Sequence, residues 1–192
     1  MPLLESLDRE ELHTRQILMK SYRRRDGLYE IEARVLDTKA QPFSPPLIKA
    51  PIPPGTYIHD LSIRLVIDEW LVIHEAIASS DSTPFAVCKE APPTLAVLKG
   101  EKIGDGWNKL LRDKFKGAKG CTHLMEMLSP MATTAMQTLY PFIQHRPVRT
   151  DENGRPLKID SCYAYASNRE VVQRIWPMYY NGPVTKEPES TN

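Results

Sequence analysis

The chain has 192 residues and a net charge of +1, with Lys+Arg 25 against Asp+Glu 24. Apolar residues make up 41% and charged residues 26%, the balance of a soluble globular protein with one real core, which excludes a strongly basic nucleic-acid binder and an acidic tail protein. Apolar runs are only a few residues long, and Met1-Pro2-Leu3-Leu4-Glu5 lacks the basic start and apolar stretch of a signal peptide, so a cytoplasmic protein with no membrane contact is expected.

Residues 1–11 are polar and are expected to be a mobile N-terminal segment. Residues 12–180 are expected to form a single α+β domain, and 181–192 a disordered tail. His13 to Arg25 and Leu28 to Thr38 are β-type runs separated by Asp26-Gly27, a strong hairpin signal. A two-residue turn there pairs Arg24 with Tyr29, Tyr22 with Ile31 and Leu18 with Val35. It predicts a buried face carrying Leu18, Tyr22, Ile31, Ala33 and Val35. Arg23 then opposes Glu30, and Ser21 opposes Glu32, on the other face.

The segment 40–56 holds Pro42, Pro45, Pro46, Pro51, Pro53 and Pro54, which excludes a helix or a central strand. It reads as a long extended excursion, a lid or an interface arm. A second hairpin is predicted from Tyr57 to Ile67 and from Trp70 to Ile77, turning at Asp68-Glu69. His59, Leu61, Ile63, Leu65 and Ile67 then share one face. In this register Ile63 opposes His74, so His59 and His74 face the same way, on the order of 13 Å apart.

Helices are expected next: Glu90–Lys99 with Pro92-Pro93 at its start, Asp105–Lys116 with Gly117 as its stop, and one starting at Thr122. Ser129-Pro130 kinks or restarts the last of these, and Pro141 ends or bends it. A short strand near Ile159–Tyr165 and a helix near Asn168–Ile175 complete the reading. The predicted fold is an antiparallel sheet built from two β-hairpins with helices packed on one face.

Cys88, Cys121 and Cys162 are an odd, sparse set with no C-x-x-C, which argues against disulfides and a structural zinc site and fits a reducing compartment. No metal and no other cofactor is expected. Phosphate-loop, dinucleotide, serine-hydrolase and zincin motifs are all absent.

Four places carry candidate chemistry. His59-Asp60 ends an apolar strand face, where a core opens into a pocket, and an imidazole there suits a general base. The plain alternative is a structural histidine bonded to a backbone carbonyl. Cys121-Thr122-His123, after Gly120 and at a helix start, puts an imidazole where the helix dipole disfavours its charged form. The plain alternative is a capping turn. Arg23-Arg24-Arg25, with Arg15, Lys20 and Tyr22, is a solvated edge in which Arg24 is placed to meet a ligand anion. The basic run from Lys99 to Lys119 is interleaved with Glu101, Asp105 and Asp113 and reads as a solvated helix face, so no nucleic-acid partner is expected.

Several stretches taken together resemble a known family: Leu12-His13-Thr14-Arg15, Tyr22-Arg23-Arg24 with Asp26-Gly27-Leu28, Asp37-Thr38-Lys39, Ile58-His59-Asp60 with Ile63-Arg64-Leu65, Gly120-Cys121-Thr122-His123-Leu124, Ala132-Thr133-Thr134-Ala135, and Asp160-Ser161-Cys162. Their order and spacing resemble the bacterial family called domain of unknown function 2889, from about Leu12 to Tyr180. The resemblance implies a bacterial protein in a catabolic setting, including breakdown of aromatic compounds. The polar residues of its motifs are Arg15, Tyr22, Arg24, Asp37, Lys39, His59, Asp60, Arg64 and His123.

These readings lead to a cofactor-independent enzyme, of lyase or isomerase type, acting on a small aromatic molecule by proton transfer. A concrete version is retro-aldol loss of formaldehyde from a lignin-derived aromatic. His59, His123 and Tyr22 are the catalytic candidates; Arg24, Arg15, Lys39, Asp60 and Arg64 are the substrate-binding candidates. The alternative is a non-catalytic binding or dimerisation module, and a homodimer is compatible with either.

Overall fold

A computed structural model of the protein describes residues 7–183. The tail expected over 181–192 lies outside the described residues from 184 on, as does the N-terminal segment before residue 7. The chain forms two compact units, the first ending at Ile143 and the second beginning at Gln144.

The first unit is α+β. Strands β1 (His13–Arg23), β2 (Tyr29–Lys39), β3 (His59–Ile67) and β4 (Ile73–Ser82) form one antiparallel sheet in the order β1-β2-β3-β4. The two expected hairpins are therefore present and adjoin through β2 and β3. Period-2 alternation buries Ile31, Ala33 and Val35 on β2 and Leu61, Ile63, Leu65 and Ile67 on β3, as predicted.

The register of the first hairpin differs from the expected one by a single residue. Arg23 pairs with Tyr29, Ile17 with Val35 and Arg15 with Asp37. The loop has three residues rather than two: Gly27 N–H donates to Arg24 O, Gly27 has φ 87°, and Arg24 N–H donates to Leu28 O at 2.8 Å. This is a type I turn closed by a left-handed residue, which glycine adopts without strain. Because side chains alternate, one residue of slip moves the whole of β1 to the other face. Leu18 and Tyr22, expected in the core, are exposed on the outer face; Ile17 and Met19 take the inner one.

The second hairpin uses the same device. Leu71, at φ 66°, ends a turn in which its N–H donates to Asp68 O, and Asp68 Oδ1 accepts from the N–H groups of Trp70 and Val72. Ile67 consequently pairs with Ile73, and a bulge beyond it sets Val66 opposite Glu75 and Ile63 opposite Ala78. His74, expected opposite Ile63, falls at this bulge. It is exposed, with Nε2 2.9 Å from Asp68 Oδ2. The proline-rich excursion leaves from Lys39 and returns to His59, pinned by a Phe43–Ile52 bridge and by Gly55 N–H donating to Lys39 O.

Helices cover one face. The expected helix over Glu90–Lys99 is instead two 3-10 stretches, Ala86–Glu90 and Pro92–Leu98, since Pro92 has no N–H with which to carry the first stretch onward. The second buries Leu95 and Leu98. Helix α1 (Trp107–Lys114) is shorter than predicted at both ends. Helix α2 (Thr122–Ile143) runs uninterrupted through Pro130 and Pro141. It buries Leu124, Met127, Leu128, Met131, Ala135 and Leu139 along one stripe, the leucines and methionines each contributing about 1.5–3 kcal/mol if fully transferred from water. Trp107 Nε1–H, buried, donates to Leu128 O at 3.1 Å and ties α1 to α2.

In the second unit, α3 (Glu170–Ile175) forms close to its expected place. The strand expected near Ile159–Tyr165 is a turn. Asp160 has φ 64°, its N–H donates to Tyr165 O, and its Oδ1 accepts from Ser167 N–H.

Candidate functional site

The register that carries β1 to its observed face also lines up three polar side chains across the sheet. Arg15 pairs with Asp37, and Asp37 pairs with His59, on three successive strands and on the helix-covered face. The row sits at the end of that face, where the apolar alternation of β2 (Tyr29, Ile31, Ala33, Val35) gives way to Asp37. Helix α2 begins above it. Gly120 sets this start: a Cβ there would lie 2.9 Å from Phe115 Cβ and 3.1 Å from Met125 Sδ. His123, on the first turn, stacks on His59 with ring centroids 3.7 Å apart and planes inclined by 32°. Glu126, one turn further along, pairs with Arg15.

Asp37 is the centre of the cluster. Its side chain is 1% exposed, its two oxygens accept from Arg15 Nε (2.8 Å) and Nη2 (2.7 Å), and Oδ2 lies 2.9 Å from His59 Nδ1. His13 Nε2 stands 3.4 Å from the other oxygen. Burial pushes the carboxyl pKa up, but the Arg15 bonds and charge, with His59, outweigh it and hold Asp37 below the usual carboxylate range. An ionised carboxylate only accepts, so His59 Nδ1 carries the proton and Nε2 keeps a free lone pair. Burial lowers the His59 pKa against the opposing pull of Asp37, with Arg15 and His13 adding to the lowering. A neutral, oriented imidazole is the form that acts as a base.

Cys121 Sγ lies 4.0 Å from His123 Nδ1. His123 and the first N–H groups of α2 hold its thiol below the ordinary range in spite of burial.

Of the residues singled out in the sequence, the structure brings together His59, His123 and Arg15. Lys39 is on the same face one pair further out, with Nζ 5.8 Å from the Phe43 ring centroid. Four others are elsewhere. Tyr22 is on the outer face because of the register slip. Arg24 folds back on its own turn, bonding Asp26 and Glu30. Asp60 alternates away from His59 and takes Arg34 in a two-bond pair at 2.8 and 2.6 Å. Arg64 pairs with Glu32 on that same outer face. The alternative of a backbone carbonyl for His59 gives way to a carboxylate partner.

A groove of about 460 Å³ runs over the outer face, past Leu18, Tyr22, Arg34, Arg64 and Ile77. Its arginines are spent on Asp60 and Glu32, so it offers less chemistry than the smaller cluster beneath α2. Sequence reasoning named Asp37 within a motif but gave it no role, and passed over Glu126. The signal for Asp37 was an acid at the end of an otherwise apolar alternation.

Asp37, His59 and His123 each offer one ligand atom, all within 4.8 Å of one another, and these are the residues to which a divalent ion would bind. Both Asp37 oxygens, however, already accept from Arg15, and an ion at that carboxylate would displace or repel a guanidinium. The donor set as built favours proton transfer.

A family model for proteins of unknown function, DUF2889, matches residues 13–137. The chain belongs to the DUF2889 family. The matched span includes every residue of the cluster, from His13 to Glu126, and ends inside α2. No curated protein and no solved structure matches the chain. Among the described residues, no helix is long and apolar enough to cross a membrane.

Proposed function

We propose that the first unit is a cofactor-independent enzyme acting on a small aromatic molecule by proton transfer, in a bacterial, cytoplasmic, catabolic setting. The observation that carries this is the His59 imidazole, held by buried Asp37 with its Nε2 lone pair free and stacked on His123. The reaction is of lyase type. In the version we favour, His59 takes the proton of a substrate hydroxymethyl group. The O–H electron pair becomes the second bond of the C=O of formaldehyde, the C–C bond breaks, and its pair passes through the conjugated ring into the carbonyl of a dienone or quinone-methide form of the substrate, whose oxygen becomes the phenolate. His123 would meet and reprotonate that charge, while Arg15, already bonded to Asp37 and Glu126, holds the carboxylate that orients His59. Tyr22 has no part in this version, since it is on the other face.

The test is formaldehyde release from hydroxymethyl-bearing phenolic model compounds. His59→Ala should lower turnover by roughly a hundredfold or more, the scale of a lost general base, with the fold intact by circular dichroism. Full activity in His59→Ala would sink the reading. Activity lost to chelators and restored by a divalent ion would replace it with metal catalysis at Asp37, His59 and His123.

A further inference from the structure

The two edges of the sheet are not alike. The β4 edge is defended: its pairing with β3 shifts register twice, and residues 100–102 lie against its start, where Gly100 N–H donates to Ile73 O and Ile73 N–H to Glu101 O. The β1 edge has none of these devices. Its 11 residues pair with β2 without a bulge, it contains no proline, and among the described residues no strand pairs with its outer side. Its centre, Ile17-Leu18-Met19, is apolar, with Ile17 42% and Leu18 57% exposed. A long, straight, apolar-centred edge is a template for another strand.

We propose that β1 pairs antiparallel with β1 of a second copy of this chain, joining two sheets into one of eight strands about a two-fold axis at Leu18. The backbone narrows the register. Arg24 N–H donates to Leu28 O and Ala40 N–H to Leu12 O, so even-numbered residues of this strand bond inward to β2. The odd-numbered residues turn their N–H and C=O groups outward. A symmetric pair must match odd with odd, and only pairing about Leu18 engages all of His13–Arg23. That register sets Arg15 against Ser21, Gln16 against Lys20, Ile17 against Met19, and Leu18 against itself. Neither Arg15 nor Lys20 meets another cation, whereas pairing about Met19 would set Arg15 against Arg23. Leu18 then forms a non-hydrogen-bonded pair across the axis, the close kind, with Cα atoms about 4.5 Å apart. The interface does not depend on the reaction at His59.

The full chain should have twice its 21.9 kDa mass by light scattering. Leu18→Cys should cross-link to itself on mild oxidation, since a Cα separation of about 4.5 Å lies within disulfide reach. Gln16→Cys, which faces Lys20 of the other copy, should not. Leu18→Lys should weaken association at least tenfold by placing like charges face to face, and mixing it with Leu18→Glu should restore the dimer. A monomer at about 100 μM, a dimer indifferent to Leu18→Lys, or cross-linking at Gln16→Cys and not at Leu18→Cys would each overturn the proposal.

Discussion

Asp37→Asn tests the construction of the site without any substrate. Three charge-assisted hydrogen bonds converge on the buried carboxylate, two from Arg15 and one from His59. Bonds to a charged group contribute about 1.5–3 kcal/mol each, and breaking a buried ion pair costs about 3–5 kcal/mol. Two features reduce this. The asparagine retains one acceptor oxygen, and Arg15 is 30% exposed and keeps Glu126 as a partner. We therefore expect a loss of about 2–4 kcal/mol, or a drop in Tm of about 5–15 °C for a chain of this size. The second effect concerns the proton. The amide N–H₂ of asparagine would donate to His59 Nδ1, moving the ring proton to Nε2 and removing the base. Thermal melts read the first effect, and ¹⁵N chemical shifts of the His59 ring read the second. A variant that melts within about 1 °C of the parent and keeps its proton on Nδ1 would refute the central role given to Asp37.

The same groups set a pH dependence. The folded His59 pKa lies below its unfolded value near 6.5, so below that pH the unfolded chain binds the extra proton first. Stability should therefore be full above pH 6.5 and decline as pH falls through the folded value; His59→Gln should flatten this decline in denaturant titrations, and an unchanged slope would contradict the assignment. Asp37 acts in the same direction at lower pH, its stabilisation being lost below the ordinary carboxylate range. Gly120→Ala should destabilise by about 1–3 kcal/mol, because its Cβ would lie 2.9 Å from Phe115 Cβ at the start of α2. Gly104→Ala, with nothing within 4 Å, is the control, and equal melting temperatures for the two variants would remove the argument that Gly120 sets the site.

Local chemistry alone determined the number of strands in the first unit, their pairing as hairpins, the core-facing residues of β2 and β3, and the apolar stripe of α2. Each depends on a period of two or near 3.6 that a short window contains. His59 and His123 were legible for the same reason: one ends an apolar alternation and the other opens an apolar helix. What only the tertiary structure decided was the register of β1. This strand carries apolar residues on both faces, Ile17 and Met19 on one and Leu18 and Tyr22 on the other, so burial does not discriminate between the two alignments. A three-residue loop closed by Gly27 decides it. With a two-residue turn Arg15 would oppose Thr38 and point away from Asp37; the observed slip puts Arg15 beside Asp37 and moves Tyr22 to the opposite face. The contact that charges and orients the site thus depends on one residue of loop length, which side-chain pattern does not encode because it is a property of how the backbone hydrogen bonds close the turn.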